Sequence, residues 1–379
     1  MQTGFRFAIA LSSLGLSSIA CARTPAHGGA AQGAANAAVE TRVAPPLAST
    51  APISTAEPST WQPTTHSSSS AAITSAPSAP TGTTEATPPL PRSLIAVSPP
   101  FERSAQRGDG EWTALTDASW EGRFNHPIAH RTRLHPHPIS RFVTLDVVAI
   151  DLNAVSLHWV VGKKDAGAER LSEAMKPGII AEPEQAQVLA IFNGGFQARH
   201  GWWGMHSHDV TLVPLKEHGC TVALTASGEV RLGEWATLQL EAPAFLTLRQ
   251  TPPCLVAQGN IHPGLLQGNT RPWAGENPKR KTRRRSALGI DATQSVLYYA
   301  IGTETSALDL ARGMAALGVE TALQLDINWS WTRFLIVGRQ DGRPRVTATL
   351  IEDTVHGKNE YFTWPADRDF FYLTARAVN

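Results

Sequence analysis

Three short segments of this chain carry residue types that can do chemistry. In Phe192-Asn193-Gly194-Gly195-Phe196, two glycines follow an apolar run. They allow a sharp turn whose amides can bind an anion, with Asn193 able to donate and accept hydrogen bonds there. In Arg285-Ser286-Ala287-Leu288-Gly289-Ile290-Asp291, an arginine opens a strand-like run and can present its planar fork to a carboxylate or phosphate. In Leu325-Asp326-Ile327-Asn328-Trp329-Ser330, a carboxylate closes an apolar run and leads into a polar cluster. Singly, these features also describe an ordinary turn, a strand-end cation and a capping aspartate.

Two further groups stand out. His200, His206 and His208 lie close together, and on a strand His206 and His208 would share a face. A metal site and the polar lining of a cleft beside Asn193 are the two readings; no third ligand at diagnostic spacing is visible, so no cofactor is assigned. The run Lys279-Arg280-Lys281-Thr282-Arg283-Arg284-Arg285 concentrates positive charge in a chain of net charge +1. It suits phosphate-bearing glycans or lipid head groups, or else is a solvated loop ahead of a strand.

These residues need elements to hold them. Alternating apolar positions predict strands at Phe142 to Ile150 and Ser156 to Val161, joined by a turn at Asp151-Leu152-Asn153. A buried strand at Val188 to Phe192 feeds Asn193. More strands are expected at Thr221–Thr225, Val230–Leu232, Phe245–Arg249, Leu255–Gln258, Ser286–Ile290, Val296–Ile301, Ala322–Asp326, Phe334–Val337 and Val346–Leu350. Leu308, Ala311, Ala315 and Leu317 recur at helical spacing between a Ser306 cap and Gly318, and a shorter helix is expected from Arg170 to Met175. The expected fold class is α+β, a strand-rich single domain with few helices packed on the sheet.

The first 98 residues differ in kind. Arg6, the apolar stretch Phe7 to Leu16 and Ser18-Ile19-Ala20-Cys21 make a leader over 1–21, with Cys21 as the site of lipidation or an ordinary secretory cleavage nearby. Residues 22–98 are dominated by Ala, Pro, Ser and Thr, too poor in large apolar side chains to offset the entropy of ordering, and read as a tether. Residues 99–379 then form the folded domain, which holds all of the eleven Trp except Trp61. Export makes Cys220 and Cys254 a disulfide pair, or failing that two buried thiols. The expected setting is the bacterial envelope, facing periplasm or cell surface, with membrane contact through a lipid anchor only. Near-neutral charge and export argue against nucleic acid.

In order and spacing, the succession Asn193-Gly194-Gly195-Phe196, Pro252-Pro253-Cys254-Leu255-Val256 with Gly259, Arg285-x-Ala-x-Gly-Ile, a helix ending in Leu-Gly, and Ala322-Leu-x-Leu-Asp326 resembles the phosphodiester glycosidase family. The resemblance runs from about Val143 to Arg368-Asp369-Phe370-Phe371. It implies hydrolysis of a glycosyl phosphodiester in envelope or extracellular polysaccharide, with Asn193, Arg285 and Asp326 catalytic. Gly194, Gly195, Asn328, Ser330, Trp329, His206 and His208 would then line the substrate site. Asp326 would serve as nucleophile, as base for water, or as stabiliser of an oxocarbenium-like centre; a second carboxylate would be Asp291 or Asp209. The alternative is a carbohydrate- or phosphate-binding lipoprotein with a degenerate site. The family pattern Leu-Asp-Gly-Gly-Gly-Ser is Leu-Asp-Ile-Asn-Trp-Ser here, so side chains stand where bare backbone would, and left-handed φ at Ile327 or Trp329 would be costly. Gln197 likewise replaces a second Phe.

Overall fold

The computed structural model describes residues 94, 96–165, 169, 171–274, 281–357 and 360–376, all within the compact unit Thr83–Asn379. The leader, Cys21, most of the tether, Arg170, and Lys279 and Arg280 of the basic run lie outside the described residues. Three antiparallel sheets dominate, accompanied among the described residues by four short α-helices. The fold is mostly β, with the helical part smaller than the expected class suggests.

The large sheet has eight strands, in the order Thr113–Ala114, Ala129–Leu134, Leu145–Asp151, Val296–Thr305, Arg283–Ile290, Thr321–Gln324, Val256–Ala257 and Asn260–Ile261. A second sheet orders Arg343–Thr349, Phe334–Gln340, Val188–Asn193, Phe370–Ala375 and Val155–Val160. The third orders Val210–Val213, Met205–Ser207, Phe245–Thr251, Cys220–Thr225 and Val230–Glu234. The turn at Asp151-Leu152-Asn153 forms, with Asp151 Oδ1 accepting from the Asn153 amide at 2.9 Å. It does not make a hairpin, because the strands on either side of it belong to different sheets.

Both faces of the large sheet are covered. One packs on the second and third sheets through Val148, Ile150, Leu288 and Leu323 against Phe192, Phe371, Val222 and Leu224. Phe192 is fully buried, stacked with Phe334 and Phe371 at centroid distances of 5.8 and 5.4 Å, and tilted against Tyr299 at 5.2 Å. The other face carries Val147, Ala149, Ala287 and Tyr298 under the helix Ala307–Ala316, which contributes Leu310, Ala311 and Met314. That helix starts where expected: Ser306 Oγ accepts from the Asp309 amide at 3.0 Å, and Gly318 ends the turn at φ 73°. The described part of the second expected helix is a turn, closed by the Met175 amide on the Ser172 carbonyl at 3.0 Å. Pro177 follows too soon for a helix to extend.

Cys220 and Cys254 form a disulfide, with Cα atoms 4.8 Å apart. It ties the third sheet to the strand that borders the Asp326-bearing segment.

Candidate functional site

Asn193 ends its strand between two sheets and is 3% exposed. Its Oδ1 accepts from the Tyr299 hydroxyl at 2.8 Å and from the Arg333 amide at 3.1 Å. Its Nδ2 donates to Ser286 Oγ at 3.0 Å. The single Ser286 hydroxyl hydrogen has two acceptors, Asn193 Oδ1 and the Asp326 carbonyl, each at 3.3 Å. The Asp326 amide donates to the Gly194 carbonyl at 3.0 Å. Asn193 and Asp326, 133 positions apart by their numbering, are thus brought together at facing strand ends. A buried amide with this many partners is also a fastener between layers.

The amides of the glycine turn are occupied. Gly194 N donates to the Asp369 carbonyl at 3.1 Å, and Gly195 N to Asp369 Oδ2 at 3.0 Å. The expectation that they stand open for a ligand is therefore corrected: one binds the backbone carbonyl of Asp369 and the other its carboxylate. Glycine is required for the same reason. A Cβ on Gly194 would lie 2.1 Å from Asp369 Oδ2, and one on Gly195 would lie 2.7 Å from Arg249 Cζ.

Asp369 anchors a buried ionic cluster. Arg249 Nε donates to its Oδ2 at 2.8 Å and Nη2 to its Oδ1 at 3.3 Å, while Trp159 Nε1 donates to Oδ2 at 3.0 Å. Burial pushes the Asp369 carboxyl up, but Arg249, Trp159 and the Gly195 amide together hold it below its ordinary value. Arg368 pairs with Asp326 Oδ2 and donates to the Gly195 carbonyl at 3.3 Å. Asp165 completes the cluster. Burial first, and the Asp369 charge second, raise its pKa from 3.8 to about 7, against the opposing pull of Arg249, the Gly162 amide and Arg368.

Asp326 is held from two sides. Its Oδ1 accepts from the amides of Ile327 at 2.7 Å and Asn328 at 3.2 Å. Its Oδ2 is ion-paired with the Arg368 guanidinium and has no other polar partner among the described residues. The loop that follows closes on itself: Asn328 Oδ1 accepts from the Ser330 amide and hydroxyl at 3.1 and 3.0 Å, and the single Thr332 hydroxyl hydrogen has two acceptors, the carbonyls of Asp326 and Asn328, each at 3.0 Å. No residue from Ile327 to Ser330 adopts positive φ. The loop needs no left-handed residue, so the strain expected at Ile327 or Trp329 does not arise. Trp331 lies beneath two guanidinium groups, Arg333 at 4.9 Å and Arg368 at 5.6 Å from its ring centre.

Arg285 is elsewhere, which corrects its grouping with Asn193 and Asp326. Along a strand successive side chains face opposite ways. Ser286 meets Asn193, so Arg285 points into the layer under the Ala307–Ala316 helix. There it donates to the carbonyls of Trp273 and Thr305 at 2.8 and 2.9 Å and to Gln324 Oε1 at 2.7 Å. Desolvation, then the Arg283 charge, lower its pKa to about 9. Arg284 faces the Asn193 side and lies 5.3 Å over the ring of Trp329, which is 56% exposed. Those two residues, Ile327 and Arg283 line a cavity of about 150 Å³. A larger cavity of about 1060 Å³ opens away from the cluster, between Arg131, Arg133 and Glu352. Asp326 lines neither.

The histidines do not share a strand face. The strand ends at Ser207, and His208 occupies the following turn at φ 52°. His206 pairs across the ladder with Leu248, while Arg249 pairs with Met205; cross-strand partners share a face, so His206 points away from the Arg249 side. Asp209 is exposed in the same turn. Asp291 caps a turn, its Oδ1 accepting from the amides of Ser295 and Val296 at 2.8 Å. Neither supplies a second carboxylate beside Asp326. Among the described residues, no cluster of three or more metal-ligating side chains occurs.

Sequence reasoning missed Asp165, Arg249, Arg368 and Asp369. The signal available for the last two was a charged pair directly ahead of the apolar run Phe370-Phe371-Tyr372-Leu373, where Asp326 instead closes its run. Arg249, inside a strand, offered none.

No protein-family model matches the chain, and no curated protein matches it in sequence. Among solved structures, it is similar to the catalytic domain of zebrafish N-acetylglucosamine-1-phosphodiester alpha-N-acetylglucosaminidase, auto-inhibited by its pro-peptide. The TM-score is 0.42 at 13% identity, over 70% of this chain and 88% of that one. A hypothetical protein from Synechocystis aligns with TM-score 0.38 at 13% identity, over 65% of this chain and 62% of that one. A putative exported protein from Burkholderia pseudomallei K96243 aligns with TM-score 0.29 at 11% identity, over 61% and 74%. Likeness at this level leaves a distant relationship plausible and carries no functional argument.

Proposed function

We propose that the folded domain is an exported hydrolase of glycosyl phosphodiesters in envelope or extracellular polysaccharide, tethered through lipidated Cys21. The observation that supports this reading is the Asp326–Arg368 pair: a buried carboxylate, one oxygen of which has only the guanidinium as its partner among the described residues, at the ends of facing strands. Arg368 would take a phosphodiester oxygen, which releases Asp326 Oδ2 toward the anomeric carbon. The C1–O bond then breaks with its electron pair on the phosphate oxygen, a weakly basic leaving group. Water supplies hydroxide to the sugar, directly with Asp326 as base or after a covalent intermediate. Asp326 is 3% exposed, so turnover requires the 326–332 loop to move.

The test offers a UDP-sugar and a chromogenic sugar-phosphate diester to the purified protein, beside Asp326→Asn and Arg368→Gln. Turnover lost in both variants is expected. A broad panel with no turnover above that of Asp326→Asn sinks the enzymatic reading.

A second reading, a non-catalytic carbohydrate-binding domain, is favoured by one observation: exposed Trp329 under the Arg284 guanidinium at the mouth of the small cavity. It expects saccharide binding that Trp329→Ala abolishes, with no turnover in any variant.

A further inference from the structure

The cavity of about 1060 Å³ has a buried imidazole in its wall. It is bounded by the 106–113 stretch, the strand Ala129–Leu134 with His135 after it, and the 349–353 stretch. Small-molecule sites run to about 1,000 Å³, so this one has room for more than a single small metabolite. Arg131 pairs across the ladder with Val148, and Arg133 with Asp146. Cross-strand partners share a face, so both arginines stand on the face of the large sheet that carries Val148 into the core. Both are exposed, so the cover of that face ends before them.

His135 is fixed by its neighbours. Its Nδ1 lies 2.8 and 2.9 Å from the two Asp109 oxygens, which places a hydrogen on Nδ1 and leaves the lone pair of the neutral ring on Nε2. Asp109 is held in turn, its Oδ2 accepting from the Gln106 amide at 3.1 Å. The His135 and Asp109 side chains are 7% and 2% exposed. His135 Nε2 has no hydrogen-bond partner among the described residues and is not one of the enclosed unpartnered atoms. The small exposed part of the ring therefore includes that nitrogen, in a residue that lines the cavity.

The rim carries unpaired charge of both signs. Arg133 is committed to Asp146, its Nε and Nη2 donating to Oδ1 at 3.0 and 2.7 Å. Arg107, Arg131, Glu111 and Glu352 line the same cavity, and none of the four has a side-chain partner among the described residues. All four are exposed. Among the described lining residues there is no Phe, Tyr or Trp.

We infer that this cavity binds a short peptide with both ends free. Arg131 holds its carboxylate, Glu352 holds its ammonium, and His135 Nε2 accepts from a peptide N–H. A simple anion would meet Glu111 and Glu352, and a simple cation would meet Arg107 and Arg131; a zwitterion satisfies both signs at once. A sugar would find no flat ring to stack on. An extended tripeptide spans roughly 10 Å, about the width of a cavity of this volume. The inference needs neither turnover at Asp326 nor a saccharide at Trp329.

Calorimetric titration of the full chain with trialanine, N-acetyl-trialanine, trialanine amide and glucosamine tests it. Trialanine should bind, weaken with added salt, and bind more tightly than glucosamine. Acetylation and amidation should each weaken it by roughly tenfold or more, the loss of one charge-assisted contact. Arg131→Gln and Glu352→Gln, both at exposed positions, should weaken trialanine to the same degree with near-ultraviolet circular dichroism unchanged. In Arg131→Gln, amidation should make no further difference, and in Glu352→Gln acetylation should make none. His135→Phe should weaken trialanine and both blocked peptides alike; the two exposed variants decide the matter whether or not this one folds. Asp326→Asn and Trp329→Ala should bind as the parent does, so failure here is separate from failure of either functional reading. Absence of trialanine binding, equal affinity for either blocked peptide, tighter binding of glucosamine, or indifference to Arg131→Gln or Glu352→Gln overturns the inference.

Discussion

Asp165→Asn should lessen the loss of this protein's stability as pH rises from 4 to 7, by an amount the buried cluster sets. Three carboxylates, Asp165, Asp326 and Asp369, stand against two guanidinium groups, Arg249 and Arg368, and each of the five residues is at most 7% exposed. Fully ionised, they would leave one uncompensated negative charge away from water, which is costly. Asp165 resolves this by keeping its proton: the pKa rises from 3.8 to about 7. Its Oδ2 still accepts from the Gly162 amide at 2.8 Å, a contact that an asparagine oxygen can preserve. Because the folded state holds the proton more tightly than the unfolded chain, this contribution to stability is complete below about pH 4. It is lost as pH rises toward 7, and stays lost above that. At about 1.4 kcal/mol for each tenfold change in proton affinity, the displacement is worth on the order of 4 kcal/mol. Urea unfolding followed by tryptophan fluorescence at a series of pH values from 4 to 8 gives the stability difference between parent and variant. Titrations common to both cancel in that difference. It should move in favour of Asp165→Asn by a few kcal/mol, with its midpoint between pH 4 and 7. A difference that is flat with pH, or that moves against the variant, refutes the charge count.

Other perturbations probe the same frame. Gly194→Ala would place a methyl group 2.1 Å from Asp369 Oδ2 and should cost at least the roughly 3 kcal/mol at the upper end of overpacking, seen as loss of soluble folded protein or a lowered urea midpoint. Phe192→Ala removes a fully buried ring stacked on Phe334 and Phe371 and should cost about 3–5 kcal/mol by the same unfolding assay. Reducing Cys220–Cys254, which closes a separation of 34 residues, should lower stability by about 4 kcal/mol on loop entropy. Comparison of urea midpoints with and without reductant measures that, and equal midpoints would show the bond is not stabilising.

How far the sequence reaches depends on whether a property is local. The apolar run ending in Asn193, the Ser306-capped helix and the strands around Ala287 and Leu323 follow from periodicity and capping, because neighbouring residues impose those patterns whatever surrounds them. Two cysteines in the folded part left few choices for a disulfide. Alternation also says that Ser286 and Arg285 face opposite ways, but not which layer each face meets. Only the stacking of the sheets decided that Ser286 reaches Asn193 while Arg285 goes to Trp273 and Gln324. The glycine turn is visible in the sequence as a turn that can hold an anion. That the anion is Asp369, and that Arg249 from 120 residues away supplies its counter-charge, is set by strand pairing between distant segments. Electrostatic partners in a buried cluster are chosen by distance in space, and no one-dimensional spacing encodes that distance.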